Sequence, residues 1–394
     1  MWENEAADDD QAKADLRPQS SQCNPPERVP AESELLPCHY FDFFYGVSQG
    51  GLVATLLGRL RLRVNDAKDH FRTITSAMFG HKKPLRYIPK PILRMYRSTD
   101  FVNAVHDTIM GHSFKAFECG GHDHAFRIQS AGLSPTCEIP KQAQTGILVL
   151  TNTYDLQRQK LIMLRTFRSV LDEPLIGQLD LTYCQVLWAA LGTPFDIGPF
   201  KASLGTGAEE LSDAIVHESD PTSDAIRDYK ALYQRPACSA RKYLPGPGHG
   251  SSTCTNHSTE GGPAIFLSIG SWYTRSKDSP QRKHTYVVAE RIRNESSETQ
   301  GHMYVRLDPG LLLGDKFEGW RYNSESSFHA IDDSTKDAVN NNEELRQDLR
   351  RTAKELVRRR RARQAMGGPR WDVFVGNTVK VKVKGDDGAG NWKG

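Results

Sequence analysis

No stretch of this chain approaches the roughly 18 consecutive apolar residues that a membrane-spanning helix requires. The amino terminus, Met1-Trp2-Glu3-Asn4-Glu5, is acidic and has no apolar core of the kind an export signal carries. Charge of one sign is also lacking: 51 Lys and Arg against 48 Asp and Glu leave a net charge of +3. That is too mild to argue for nucleic acid, and no nucleic-acid partner is expected. Seven cysteines (Cys23, Cys38, Cys119, Cys137, Cys184, Cys238 and Cys254) make an odd count with no repeated spacing. Such usage points to reduced thiols in an intracellular protein rather than to a disulfide framework. The expected location is cytoplasmic, with any contact with lipid peripheral. Internal repeats are absent as well. What remains is a polar chain of 394 residues, enough for one large α/β domain with tails or for two modest ones.

The pattern favours the single domain. Residues 1–35 are rich in Asp, Gln, Ser and Pro, without apolar periodicity, and read as a disordered tail. The folded region is expected over 36–365. Val64, Ala67, Phe71 and Ile74 recur at helical steps, and Ser98 caps a further helix running through Phe101, Val105 and Ile109. Ile147-Leu148-Val149-Leu150 reads as a buried parallel strand, and Tyr183–Ala190 as a buried helix ending near Gly192. A Gly, Ser, Pro and His-rich insertion fills 236–263. Strands are expected at 264–270 and 302–307, and an amphipathic helix from about Glu343 to Arg363. Residues 366–394 form an appendage in which alternating valines and lysines suggest an exposed hairpin.

Gly46-Val47-Ser48-Gln49-Gly50, with Gly51 beside it, lies between the apolar run Tyr40–Tyr45 and the helix-like Leu52–Leu57. A strand feeding a helix through Gly-x-Ser-x-Gly is a nucleophile elbow: the glycines permit the sharp turn and the serine hydroxyl projects from the strand tip. The Gln49 amide, at the helix start, can face a developing oxyanion. A serine hydroxyl needs a base. The candidate base lies in the stretch Leu211-Ser212-Asp213-Ala214-Ile215, ahead of the turn Ser219-Asp220-Pro221, where a strand-like approach, a small residue after Asp213 and an Asp-Pro turn resemble a known arrangement.

Together these segments resemble the patatin-like phospholipases, fungal members in particular. The elbow matches that family's Gly-Thr-Ser-x-Gly-Gly. Asp213-Ala214-Ile215 with Ser219-Asp220-Pro221 resembles its Asp-Gly-Gly/Ala and Asn-Asn-Pro motif, and Leu267-Ser268-Ile269-Gly270 its Ser-Ile-Gly-Thr-Gly strand. The likeness covers roughly residues 36–360 in consistent order. It implies a three-layer α/β/α fold with a mainly parallel central sheet. It also implies a Ser–Asp dyad in which Ser48 attacks an ester carbonyl and Asp213 takes its proton. No metal or organic cofactor would be involved, and the substrate would be a phospholipid or another acyl-ester lipid, met at a peripheral membrane or lipid surface. Two departures bear on activity. The family's N-terminal strand and Gly-rich oxyanion loop have no counterpart in Met1–Leu36, so the first strand is read as missing or remodelled. Losing such donors costs on the order of 3–4 kcal/mol in the barrier. Ala214 replaces a glycine, which strains the loop if φ there is positive.

Rival readings stay beside this one. Lys201-Ala202-Ser203-Leu204-Gly205 offers another alignment to the second motif, with Lys201 in place of the acid. An α/β-hydrolase triad would need a histidine after the acid, from His257, His284, His302 or His329. Cys119-Gly120-Gly121-His122-Asp123-His124 lacks a second ligand pair and reads as a Gly-rich loop rather than a metal site. Arg358–Arg361 read as a solvated helix end, with anionic lipid headgroups as the functional alternative. The main functional rival is an inactive homologue that binds lipid or a protein through the same cleft.

Overall fold

The computed structural model describes residues 36–80, 98–116, 144–152, 160–166, 181–193, 197–204, 207–215, 217–218, 220–233, 265–269, 303–307 and 325–366. The expected N-terminal tail, the 236–263 insertion, the Cys119–His124 loop and the C-terminal appendage lie outside these residues. Strands are β1 (Phe43–Val47), β2 (Gln144–Asn152), β3 (Lys160–Arg165), β4 (Phe200–Leu204), β5 (Gly207–Asp213), β6 (Ile265–Ile269) and β7 (Met303–Leu307). Helices are α1 (Gln49–Ala54), α2 (Val64–Gly80), α3 (Ser98–Ala116), α4 (Tyr183–Leu191), α5 (Thr222–Tyr233), α6 (Glu325–Asn341) and α7 (Glu343–Met366). A π-helical turn, Thr55–Arg59, continues α1. Among the described residues no helix is long and apolar enough to cross a membrane.

The fold is α/β with a mixed sheet. β2 is its centre. One edge of β2 carries β3, antiparallel from Gly146↔Arg165 to Thr151↔Lys160. The other edge is shared by two strands placed end to end. β1 runs parallel to β2 along Gln144–Leu148, and β5 runs antiparallel along Val149–Asn152. β4 pairs antiparallel with β5, and β6 with β7 makes a separate parallel pair.

The expectation of a mainly parallel sheet is therefore corrected: among the described residues, of the four ladders in the five-stranded sheet only β1–β2 is parallel. Connection length accounts for two of the antiparallel ladders: short links join β2 to β3 and β4 to β5, and a short link returns the chain antiparallel, whereas a parallel neighbour needs a crossover of a dozen residues or more. The apolar run at Ile147–Leu150 was consistent with any strand covered on both faces, whatever its direction.

One face of the sheet holds the main core. Ile147 and Val149 of β2, Ile162 and Leu164 of β3, and Leu211 of β5 pack against Leu52 and Leu56, Ile74 of α2, Phe101 and Val105 of α3, and Val186, Leu187 and Ala190 of α4. α4 starts where it does because Thr182 and Gln185 form a capping box: the Gln185 amide donates to Thr182 Oγ1 at 3.3 Å, and the Thr182 amide donates to Gln185 Oε1 at 2.9 Å. The opposite face carries a smaller cluster, Val47, Leu148, Leu150, Met163 and Ala214. There Asp228 of α5 accepts from Arg165 Nε at 2.7 Å and from the Tyr45 hydroxyl at 3.0 Å. α5 also reaches the second sheet, where Ile226 packs with Tyr304 and Phe266.

Candidate active site

β1 ends at Val47, and the chain turns into α1 through Ser48 with φ 55° and ψ −128°. Ser48 and Arg61 are the two non-glycine residues with positive φ among those described. Ser48 lies outside the ordinary left-handed well, a conformation that costs on the order of 1–3 kcal/mol and persists only where surrounding packing over-determines it. The packing here is tight. A Cβ on Gly46 would sit 2.1 Å from the Gly50 carbonyl oxygen, and one on Gly51 would sit 2.9 Å from Ile147 Cγ2. Gly50 has open space around it. The elbow thus depends on Gly46 for the turn and on Gly51 for seating α1 against β2.

The two strands that share one edge of β2 bring the site together. Val47 is opposite Leu148, and Asp213 is opposite Val149. β1 and β5 run toward each other, so their C-terminal ends meet at neighbouring registers. Ser48 Oγ donates to Asp213 Oδ2 at 2.6 Å across 165 residues of sequence. The other carboxylate oxygen, Oδ1, accepts from the Ile215 amide at 2.9 Å, which fixes how the carboxylate is turned. The Asp213 amide donates to the Gly192 carbonyl at the end of α4, at 3.4 Å. Both members of the pair are buried: Ser48 is 1% exposed and Asp213 6%.

The remaining candidates fall into place around them. Ala214 is fully buried and is not among the positive-φ residues, so the alanine does not strain the loop as its difference from glycine suggested. Its carbonyl accepts from the His217 and Glu218 amides, each at 2.8 Å, forming a tight turn. Lys201 is on β4, exposed, with its ammonium 3.4 Å from Glu210 rather than at the serine. His329 lies exposed on α6, while His257, His284 and His302 lie outside the described residues. The partner found for the Ser48 hydroxyl is a carboxylate.

Sequence reasoning missed the polar contacts that hold this neighbourhood. Asp220, seven residues beyond Asp213, accepts from the Thr222 amide at 3.0 Å and from Arg306 Nη1 of β7 at 2.6 Å. Close by on α5, burial pushes the Asp224 carboxyl up, with Arg227 and Arg165 pulling against it. Ser219-Asp220-Pro221 was visible as a turn motif, but no local pattern announces its arginine 86 residues away.

Among the described residues no group of three or more His, Cys, Asp or Glu is placed to hold a metal ion. Comparison with family models, with curated proteins and with solved structures finds no match to this chain.

Proposed function

We propose that this protein is a serine acyl hydrolase of the patatin-like type, acting on fatty acyl esters of lipids. The observation that carries the reading is the 2.6 Å hydrogen bond from Ser48 Oγ to Asp213 Oδ2 at a strained strand–helix elbow. A hydroxyl on a strand tip, bonded to a carboxylate whose other oxygen is already held, is the minimum required for nucleophilic attack with general-base assistance. The three-layer patatin-like arrangement belongs to the same proposal. It is supported by α1–α4 packing on one face of the sheet and by Asp228 of α5 bonding to residues on the other.

In the proposed reaction Ser48 Oγ attacks the ester carbonyl as its proton passes to Asp213. The tetrahedral intermediate collapses, Asp213 returns the proton to the departing alcohol, and an acyl-serine remains. Water, deprotonated by Asp213, then attacks the acyl-serine; the fatty acid leaves and Ser48 regains its proton. The elbow itself supplies the Gln49 amide as an oxyanion donor. Without further donors the rate falls by about a hundred- to a thousand-fold relative to a complete oxyanion hole.

Burial of the serine favours a second reading. At 1% exposure Ser48 offers a substrate little access, which suits a homologue that binds lipid or a protein without turnover. A fluorophosphonate probe in the presence of mixed phospholipid–detergent micelles separates the two. Labelling that Ser48→Ala abolishes, and that Asp213→Asn slows by about 10²–10⁴-fold, supports the hydrolase. A full-length, folded protein that takes up no probe with or without lipid sinks it and leaves the binding role.

A further inference from the structure

Between Asp213 and α5, Ala214, Ile215, His217, Glu218, Asp220 and Pro221 lie outside the strand, and the two ends of this connection are held differently. At the near end the Ile215 amide grips Asp213 Oδ1, so the direction in which Oδ2 points depends on where Ile215 stands. From Ala214 onward each link is a hydrogen bond. His217 and Glu218 donate to the Ala214 carbonyl, and the Asp220 amide donates to Glu218 Oε1 at 3.0 Å. Asp220 Oδ1 then caps α5 through the Thr222 amide and hydroxyl.

The far end is fastened by the other sheet. Arg306 Nη1 donates to Asp220 Oδ2 at 2.6 Å and also contacts Ser268 Oγ at 2.9 Å. Ser268 and Arg306 are register partners on β6 and β7, so one nitrogen ties the turn to both strands at once. Ser268 also lies 3.2 Å from the Thr222 hydroxyl. The ion pair is nearly dry, with side-chain exposures of 13% for Arg306 and 3% for Asp220. A buried pair of this kind gives little net stability after desolvation, but it does single out one arrangement of the groups it joins. Helix capping alone does not explain it, because capping uses Asp220 Oδ1 and leaves Oδ2 for the arginine.

We propose that Arg306 is a positioning residue for the dyad, holding Ile215, His217 and Glu218 in place through Asp220 so that Asp213 Oδ2 faces Ser48. This rests on the hydrolase reading for its catalytic consequence, though not for its structural one. The β6–β7 sheet thereby acts on the reaction without touching substrate. Lysine at 306 keeps the charge and a nitrogen that can donate twice, but it replaces the rigid guanidinium with a compact point charge on a flexible stem, so Asp220 and Ser268 are held less firmly.

The test uses the full chain with Arg306→Lys, Arg306→Met and Asp220→Asn, the lysine variant serving where methionine prevents folding. Amide exchange of Ile215, His217 and Glu218 is expected to quicken at least tenfold in each, with β2 amides unchanged. In fluorophosphonate inactivation the limiting rate is expected to fall at least tenfold while the probe concentration for half-maximal rate stays put, with lysine less impaired than methionine. Unchanged exchange at those three amides overturns the proposal. So does faster exchange with an undiminished limiting rate. If the wild-type chain takes up no probe, it is the hydrolase reading that fails, and the exchange data alone then decide whether Arg306 holds the segment.

Discussion

On one face of β2 and β3, Ile147, Val149, Ile162 and Leu164 meet α1–α4 through apolar side chains; on the other, Arg165 sits 2.7 Å from Asp228, and both are almost fully buried. The apolar face stabilises by area removed from water, a non-directional effect that tolerates many substitutions of similar volume. The polar face is directional. Asp228 accepts from Arg165 of β3 and from the Tyr45 hydroxyl of β1, and both contacts depend on where those groups stand. Tyr45 is three residues before Ser48, and α5, which carries Asp228, follows the segment behind Asp213. The polar face therefore links the strand leading to one member of the pair with the helix following the other. One face keeps the sheet covered, and the other keeps it aligned.

Five measurements would break or sharpen that contrast. The largest effect is expected from Asp228→Ala, which removes the carboxylate that the buried Arg165 Nε donates to and should cost about 3–5 kcal/mol in denaturant unfolding. The double variant Arg165→Met with Asp228→Leu should recover most of that loss while slowing Ser48 labelling. Full labelling in the double variant would mean that the polar contacts do not align the site. Leu187→Ala, on the apolar face, should cost about 3 kcal/mol through lost burial and the cavity left behind. Its labelling rate in the folded protein should be unchanged.

A pH experiment comes next. Burial pushes the Tyr183 phenol up to about 12, with Arg59 pulling weakly the other way. An unfolded tyrosine loses its proton near 10. The folded state therefore binds more protons between those values, and stability is retained below pH 10 and lost as pH rises through 12. The loss should be about 1 kcal/mol by pH 11 and should be missing from Tyr183→Phe, as alkaline melting curves would show. The smallest change is Tyr45→Phe, which removes one hydrogen bond from Asp228 while Arg165 remains. It should cost about 1 kcal/mol. A cost above about 3 kcal/mol would show that Tyr45, rather than Arg165, is the main partner of Asp228.

Legibility in the sequence followed the range of the interaction. The elbow could be read because glycines, serine, apolar strand and apolar helix are contiguous, and Gly46 and Gly51 are where close approach requires them. Helices α2, α3, α4 and α7 could be read from their spacing. α6 was missed because its apolar residues, Phe328, Ala330, Ile331, Ala338 and Val339, are split into two groups by a polar run of Asp, Ser, Thr and Lys. Asp213 came from resemblance alone, since nothing local distinguishes it from any aspartate ending a strand. The sheet's antiparallel sense was hidden because an apolar run has no direction. Least legible were Arg165–Asp228 and Arg306–Asp220, whose partners lie 63 and 86 residues apart and whose residue types also suit a solvated surface.

The end-to-end meeting of β1 and β5 on a single edge of β2 has a consequence for assembly. A strand that slips against its neighbour while keeping the same faces covered moves by two residues, about 6.6 Å. Any such misalignment of β1 or β5 carries the serine and the carboxylate beyond each other's reach. The contact closes in one alignment of three strands and in no other, so a wrongly threaded copy carries an inert alcohol. If the proposed hydrolase reading holds, its reactivity would arrive only with the finished sheet, and a chain still sorting its pairings would leave surrounding esters untouched.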